Sequence, residues 1–202
     1  MIDEGKYQEA ILLLDNIIDD APSSEAYLLR GNSYFSLGES NKAAISFLQA
    51  IELNSNAYEA WMHLGNIYVN SAQFALSLDA YDNAIKHNNK LGKLYINRGN
   101  VLFRFKRYPE AENDFKIALE LEPQDPQPHF NYGRTLYMQQ EFSNALVSFQ
   151  KSHSLSESSE SNYWLGVTYY QLSQTQKACS YLNIAADQGD QNAKEAIVTV
   201  CG

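Results

Sequence analysis

Glycine returns at a fixed interval through most of this 202-residue chain. Gly31, Gly65, Gly99 and Gly133 are each 34 residues apart, and Gly166 follows after 33. Three further columns keep the same phase. They are Ala43, Ser77, Ala111, Ala145 and Ala178; Phe47, Tyr81, Phe115, Phe149 and Leu182; and Ala50, Ala84, Ala118, Ser152 and Ala185. Four columns in register across five units make an internal repeat. A repeat of this length restricts the fold to stacked copies of one supersecondary unit.

Each unit reads as two helices. In residues 24–37, Tyr27, Leu28, Gly31, Tyr34 and Phe35 recur at helical spacing, and Gly38 supplies a stop. Residues 41–53 then carry Ala44, Ile45, Phe47, Leu48 and Ile51. The small columns belong where two helix axes approach closely, and the large residue of the third column fills the space they leave.

The run Trp61–Met62–His63–Leu64–Gly65–Asn66–Ile67–Tyr68 and the later Ala111, Phe115, Ala118 and Pro123 carry a resemblance. Their aromatic, Leu–Gly, Tyr, Ala, Phe, Ala and Pro order over 34 residues resembles the tetratricopeptide repeat. The resemblance covers nearly the whole chain and implies an all-α solenoid, a right-handed superhelix of antiparallel helix pairs. The expected layout is a partial repeat at 1–23 and full repeats at 24–57, 58–91, 92–125, 126–158 and 159–190. A capping helix at 191–202 closes it.

Departures from the pattern are local. Ser77 and Ser152 replace Ala and bring a hydroxyl that needs a partner. The serine-rich stretch at 152–161 reads as a frayed helix end and a loose joint. Met1 falls at the eleventh repeat position, inside what should be a first helix, so the chain is expected to be a fragment or to be covered at that end by another molecule. Ile11, Leu14 and Ile18 are then at risk of exposure. At the other end, Gly189–Asp190 makes a turn, and Ala193, Ala196, Ile197 and Val200 form an apolar stripe. This closing segment resembles that of many bacterial repeat proteins. Cys179 and Cys201 flank the turn at similar distances and face each other in an antiparallel hairpin. That placement makes a disulfide plausible, with two buried thiols the favoured alternative.

The resemblance also implies where a ligand would sit. In this family the first helix of each unit lines a concave groove. The implied apolar row is Leu28, Phe35, Met62, Val69, Ile96, Phe103, Phe130, Tyr137, Tyr163 and Tyr170. The implied polar row is Asn32, His63, Asn66, Asn97, Asn100, Asn131 and Arg134. An Asn amide offers a donor and an acceptor together, which suits an extended peptide backbone.

Net charge is −9, which argues against general nucleic-acid binding. Yet residues 86–107 hold seven basic residues and no Asp or Glu. Lys93 and Arg104 fall on groove positions, Arg134 is one unit on, and the local field favours an acidic partner segment or a C-terminal carboxylate. Lys86, Lys106 and Arg107 belong on turns and the outer face. Members of the family that grip a chaperone's C-terminal carboxylate use a set of Lys, Asn and Arg positions. Here Asn66 and Asn97 fit two of them, while Met62, Gln127 and Asn131 occupy the basic ones, so that clamp is not expected.

Catalytic signatures are missing. His63, His87, His129 and His153 fall at different repeat positions and make no i, i+4 metal pair. No phosphate loop, dinucleotide fingerprint or nucleophile elbow occurs. Glu110, Glu112 and Asp114 alternate along a helix and read as a solvated face. No apolar run approaches the roughly 18 residues of a membrane span. The expectation is a non-enzymatic module without cofactor or metal, which binds a protein or peptide in the groove. Self-association through the N-terminal end, giving a homo-oligomeric scaffold, is the alternative, as is an accessory region of a larger protein. No compartment follows from these residues.

Overall fold

The computed structural model describes residues 2–202, with side chains from residue 4 onward. Met1, placed by the repeat register inside a first helix, lies outside the described residues. Twelve helices and no strand occur among the described residues. They are α1 (Ile2–Asp20), α2 (Ser24–Ser36), α3 (Ser40–Leu53), α4 (Tyr58–Asn70), α5 (Phe74–His87), α6 (Gly92–Arg104), α7 (Tyr108–Leu121), α8 (Pro126–Met138), α9 (Phe142–Leu155), α10 (Ser159–Gln171), α11 (Thr175–Asp187) and α12 (Gln191–Val200). The architecture is an all-α helical-repeat solenoid. The chain forms two compact units, one ending at Val101 and the other starting at Leu102.

The glycine period is a packing period. A Cβ on Gly31 would come within 2.5 Å of the Phe47 ring, and one on Gly65 within 2.6 Å of the Tyr81 ring. In the second unit, a Cβ on Gly133 would meet the Phe149 ring at 2.8 Å, and one on Gly166 would meet Leu182 at 2.7 Å. In these four pairs the glycine of the first helix thus takes the large side chain of the second helix against bare backbone. Tyr81, Phe47 and Phe149, with Phe115 of the same column, are the largest fully buried side chains among the described residues. Ala43, Ala111, Ala145 and Ala178 are completely buried around them.

The turns inside the pairs share one geometry. Gly38, Ala72, Lys106, Gln140 and Ser173 all have positive φ, between 56° and 76°. In each turn the next residue donates its N–H back across the helix end: Glu39 to Tyr34, Gln73 to Tyr68, Arg107 to Leu102, Glu141 to Leu136 and Gln174 to Tyr169. This left-handed closure satisfies carbonyls that the helix end orphans. Only the first of the five positions is glycine.

Between pairs, side chains cap α2, α8, α10 and α12, whereas Ala57 gives α4 no such bond. Ser23, Asp125, Ser158 and Asp190 accept backbone N–H bonds from Ala26, Gln127, Ser161 and Ala193. The serine-rich stretch is therefore not a frayed joint. Ser158 and Ser161 form a reciprocal capping box, Ser161 is buried, and its Oγ lies 3.0 Å from Nδ1 of His153. Of the two Ser-for-Ala replacements, Ser152 donates to the carbonyl of Pro126 at 3.0 Å, whereas the buried Ser77 hydroxyl has only the neighbouring Tyr81 phenol to interact with.

The N-terminal helix departs from expectation. Ile11 and Ile18 are buried and Leu14 is half-buried, because α2 packs on that side of α1 and Arg30 reaches back to Asp15 at 2.8 Å. The exposed apolar side chains are Leu12, Leu13 and Ile17, on the other side of the helix. The carboxylates of α7 are also corrected in part. Asp114 is buried, while Glu112 bonds Lys116 and Gln139, and Glu110 pairs with Arg107.

Candidate groove residues

In the first unit, Asn32, Met62 and His63 line one cleft of about 660 Å³ with Leu28, Tyr58 and Glu59. Met62 is mostly buried and packs with Tyr81, Leu94 and Val101. His63 stacks on Phe47 at 5.0 Å, nearly parallel, and tilts against Phe35 at 5.6 Å. Burial, reinforced by the charge of Lys93, holds its pKa below the ordinary imidazole value. The neutral ring is therefore favoured, against the opposing charge of Glu59. Its Nδ1 and the Oδ1 of Asn32 are buried without a hydrogen-bond partner.

Asn66 and Asn97 meet. The Nδ2 of Asn97 donates to Oδ1 of Asn66 at 3.2 Å, and the Tyr81 hydroxyl donates to the same oxygen at 2.7 Å. Asn100 sits one turn further along α6, half-buried, and Lys93 is exposed in its first turn. Ile96, assigned to the apolar groove row, is buried in the core instead.

In the second unit, Arg134 gathers the other candidates. Its guanidinium lies 4.8 Å from the Phe103 ring centroid and 5.9 Å from that of Phe130. Trp164, 5.6 Å from the same guanidinium, completes the group. Tyr137 meets Trp164 edge-on at 5.3 Å. Asn131 is buried with its Nδ2 unpartnered, and Arg104 is exposed at the end of α6. Trp164 is not among the residues the sequence singles out, although it continues the column of His63, Asn97 and Asn131, 33 residues after Asn131 where the other two steps are 34. The other three members of that column are amides and an imidazole, so the polar pattern does not lead to this indole.

At the C-terminus a disulfide joins Cys179 of α11 to Cys201, with Cα atoms 5.6 Å apart. It ties α12 to the pair beneath it, where Ala193 packs with Leu182 and Ala185. Among the described residues, no group of three or more His, Cys, Asp or Glu side chains is placed to hold a metal. No helix there is long and apolar enough to cross a membrane.

Family profiles described as tetratricopeptide repeat match residues 58–90, 92–125 and 160–188, and one described as TPR repeat matches 31–71. The chain belongs to the tetratricopeptide-repeat family. As a tetratricopeptide array it is similar to anaphase-promoting complex subunit 3 of Schizosaccharomyces pombe, at 23% identity over 184 residues. That match covers 90% of this chain, which spans only 28% of the length of that relative. Among solved structures it resembles YrrB, described as a TPR protein with an unusual peptide-binding site. The TM-score is 0.80 at 26% identity, over 91% of this chain and 96% of that one. A TM-score of 0.74 at 18% identity relates it in fold to the Cut9–Hcn1 hetero-tetramer, over 98% of this chain and 40% of that one. Tetratricopeptide arrays are, as a class, scaffolds for binding protein partners rather than catalysts.

Proposed function

We propose that this chain recognises an extended segment of a partner protein along the face built by the first helix of each repeat, without chemical turnover. The proposed array is a half repeat, five full repeats and a capping helix. The observation that carries the reading is the Asn66–Asn97 pair. Tyr81 and Asn97 commit Oδ1 of Asn66, which fixes both amide planes. Nδ2 of Asn66 and Oδ1 of Asn97 are then a donor and an acceptor that make no hydrogen bond among the described residues, on side chains that are half-buried. A peptide backbone presents the complementary acceptor and donor. The peptide-binding site ascribed to YrrB supports the same reading.

A random-peptide display library panned on the whole protein tests it. The wild type should enrich binders. Asn97→Ala, which leaves the Tyr81–Asn66 bond in place, should lose them while keeping its helical circular dichroism. Equal enrichment by both proteins contradicts the proposal.

A second reading rests on α1. Leu12, Leu13 and Ile17 are all at least half exposed on one helix and present an apolar surface to a second copy of the chain. Light scattering over a concentration series should show a dimer that Leu13→Glu abolishes. A wild type that stays monomeric throughout removes this reading.

A further inference from the structure

Arg134 is held by rings and not by an acid. Arg30, Arg98 and Arg107 each contact a carboxylate, those of Asp15, Asp82 and Glu110. Arg134 enters no such ion pair among the described residues, and its buried Nε has no hydrogen-bond partner. Three ring systems surround the guanidinium instead, with centroids 4.8 to 5.9 Å away. Their faces stabilise the cation but offer no acceptor to its N–H groups. The side chain is thus charged, fixed in place and short of acceptors. A planar guanidinium in that state matches a carboxylate through two parallel N–H···O bonds. Because its rotamers are already restricted, little further ordering opposes binding.

We infer that Arg134, caged by Phe103, Phe130 and Trp164, is an anchoring site for a carboxylate of the bound segment. The inference rests on the groove reading, which puts Arg134, Phe103 and Phe130 on the binding face. It adds the chemistry of the partner: an acidic side chain or a chain terminus, with the rings packing against its carbon atoms. Lysine would not substitute, since an ammonium has neither the fork nor the flat face that stacks.

The test is an amide and side-chain nitrogen NMR titration of the whole chain, read at the Arg134 Nε–H and Trp164 indole N–H signals. The probes are N-acetylglutamate α-amide, N-acetylglycine and N-acetylglutamine α-amide. They offer a side-chain carboxylate, a terminal carboxylate and no carboxylate. A carboxylate probe should shift both signals saturably, with a Kd on the order of millimolar. The neutral amide should bind at least tenfold more weakly. A tighter response to the glutamate probe assigns the anchor to an acidic side chain, and a tighter response to N-acetylglycine assigns it to a chain terminus. In Arg134→Gln and Arg134→Lys, checked for unchanged helicity, the Trp164 response to carboxylates should fall at least tenfold. Equal shifts from acid and amide, no saturable shift, or an undiminished Trp164 response in Arg134→Gln overturn the inference. Since the probes are single residues, a positive result stands even if no extended peptide binds, and a negative one leaves the groove reading intact.

Discussion

The phenol of Tyr81 donates a 2.7 Å hydrogen bond to the side-chain oxygen of Asn66, the oxygen that also accepts from the Asn97 amide. Tyr81 occupies the column that holds Phe in three other repeats, so its hydroxyl is the one polar difference from Phe47, Phe115 and Phe149. A buried core ring thereby orients a residue on the proposed binding face. Tyr81→Phe should cost about 1 kcal/mol in urea unfolding. Burial raises the phenol pKa, so the folded state favours the protonated ring. Its contribution is complete below the unfolded value of about 10 and is lost as pH rises from there through the raised folded value. Stability measured at pH 9 and pH 11 should therefore fall more in the wild type than in Tyr81→Phe.

Glycine substitutions should divide by neighbourhood. At Gly133 a Cβ meets the Phe149 ring at 2.8 Å, in a core with no room to yield. Gly133→Ala should lose about 1–2 kcal/mol, since overpacking outweighs the helix-propensity gain. At Gly5, inside α1, a Cβ meets nothing within 4 Å. Gly5→Ala should gain about 0.5–1 kcal/mol. Chemical unfolding of the two variants checks both signs.

The turns predict gains from the opposite change. Ala72, Lys106, Gln140 and Ser173 hold the left-handed conformation that Gly38 adopts without steric cost. Ala72→Gly and Ser173→Gly should each stabilise by about 1 kcal/mol, net of the extra freedom glycine gives the unfolded chain. Denaturation midpoints measure this directly.

The disulfide closes a loop of 22 residues in sequence separation around α12. Cys201→Ser should remove about 3 kcal/mol of loop-closure stabilisation. Hydrogen exchange should show the loss first in α12, with α2 to α5 unchanged. A free-thiol assay on the unfolded wild type should find none.

The repeat made the fold legible because packing imposes it. Gly31, Gly65 and Gly133 recur for one steric reason, so their spacing alone reveals the paired helices. The turns were only partly legible. Gly38 announces its conformation, whereas Lys106 and Gln140 adopt the same φ under the pull of the flanking helices. The N-terminal helix was misread because burial there depends on α2: Ile11 and Ile18 are covered, and Leu12, Leu13 and Ile17 are not. The capping box of Ser158 and Ser161 was missed for want of the usual acidic partner at its third position. Within the candidate site, the family register drew attention to Asn66, Asn97 and Arg134. It could not show that one oxygen of Asn66 serves two donors or that Trp164 closes a cage around Arg134. Those relations join residues 15 to 31 positions apart, beyond any local pattern.

The most direct measurement is chemical-shift mapping of a display-selected peptide on the labelled whole chain. The largest changes should fall on the first helices of the repeats, at Asn66, Asn97, Asn100, Arg134 and Trp164. Changes confined to α3, α5, α7, α9 and α11, the second helices, would contradict the account.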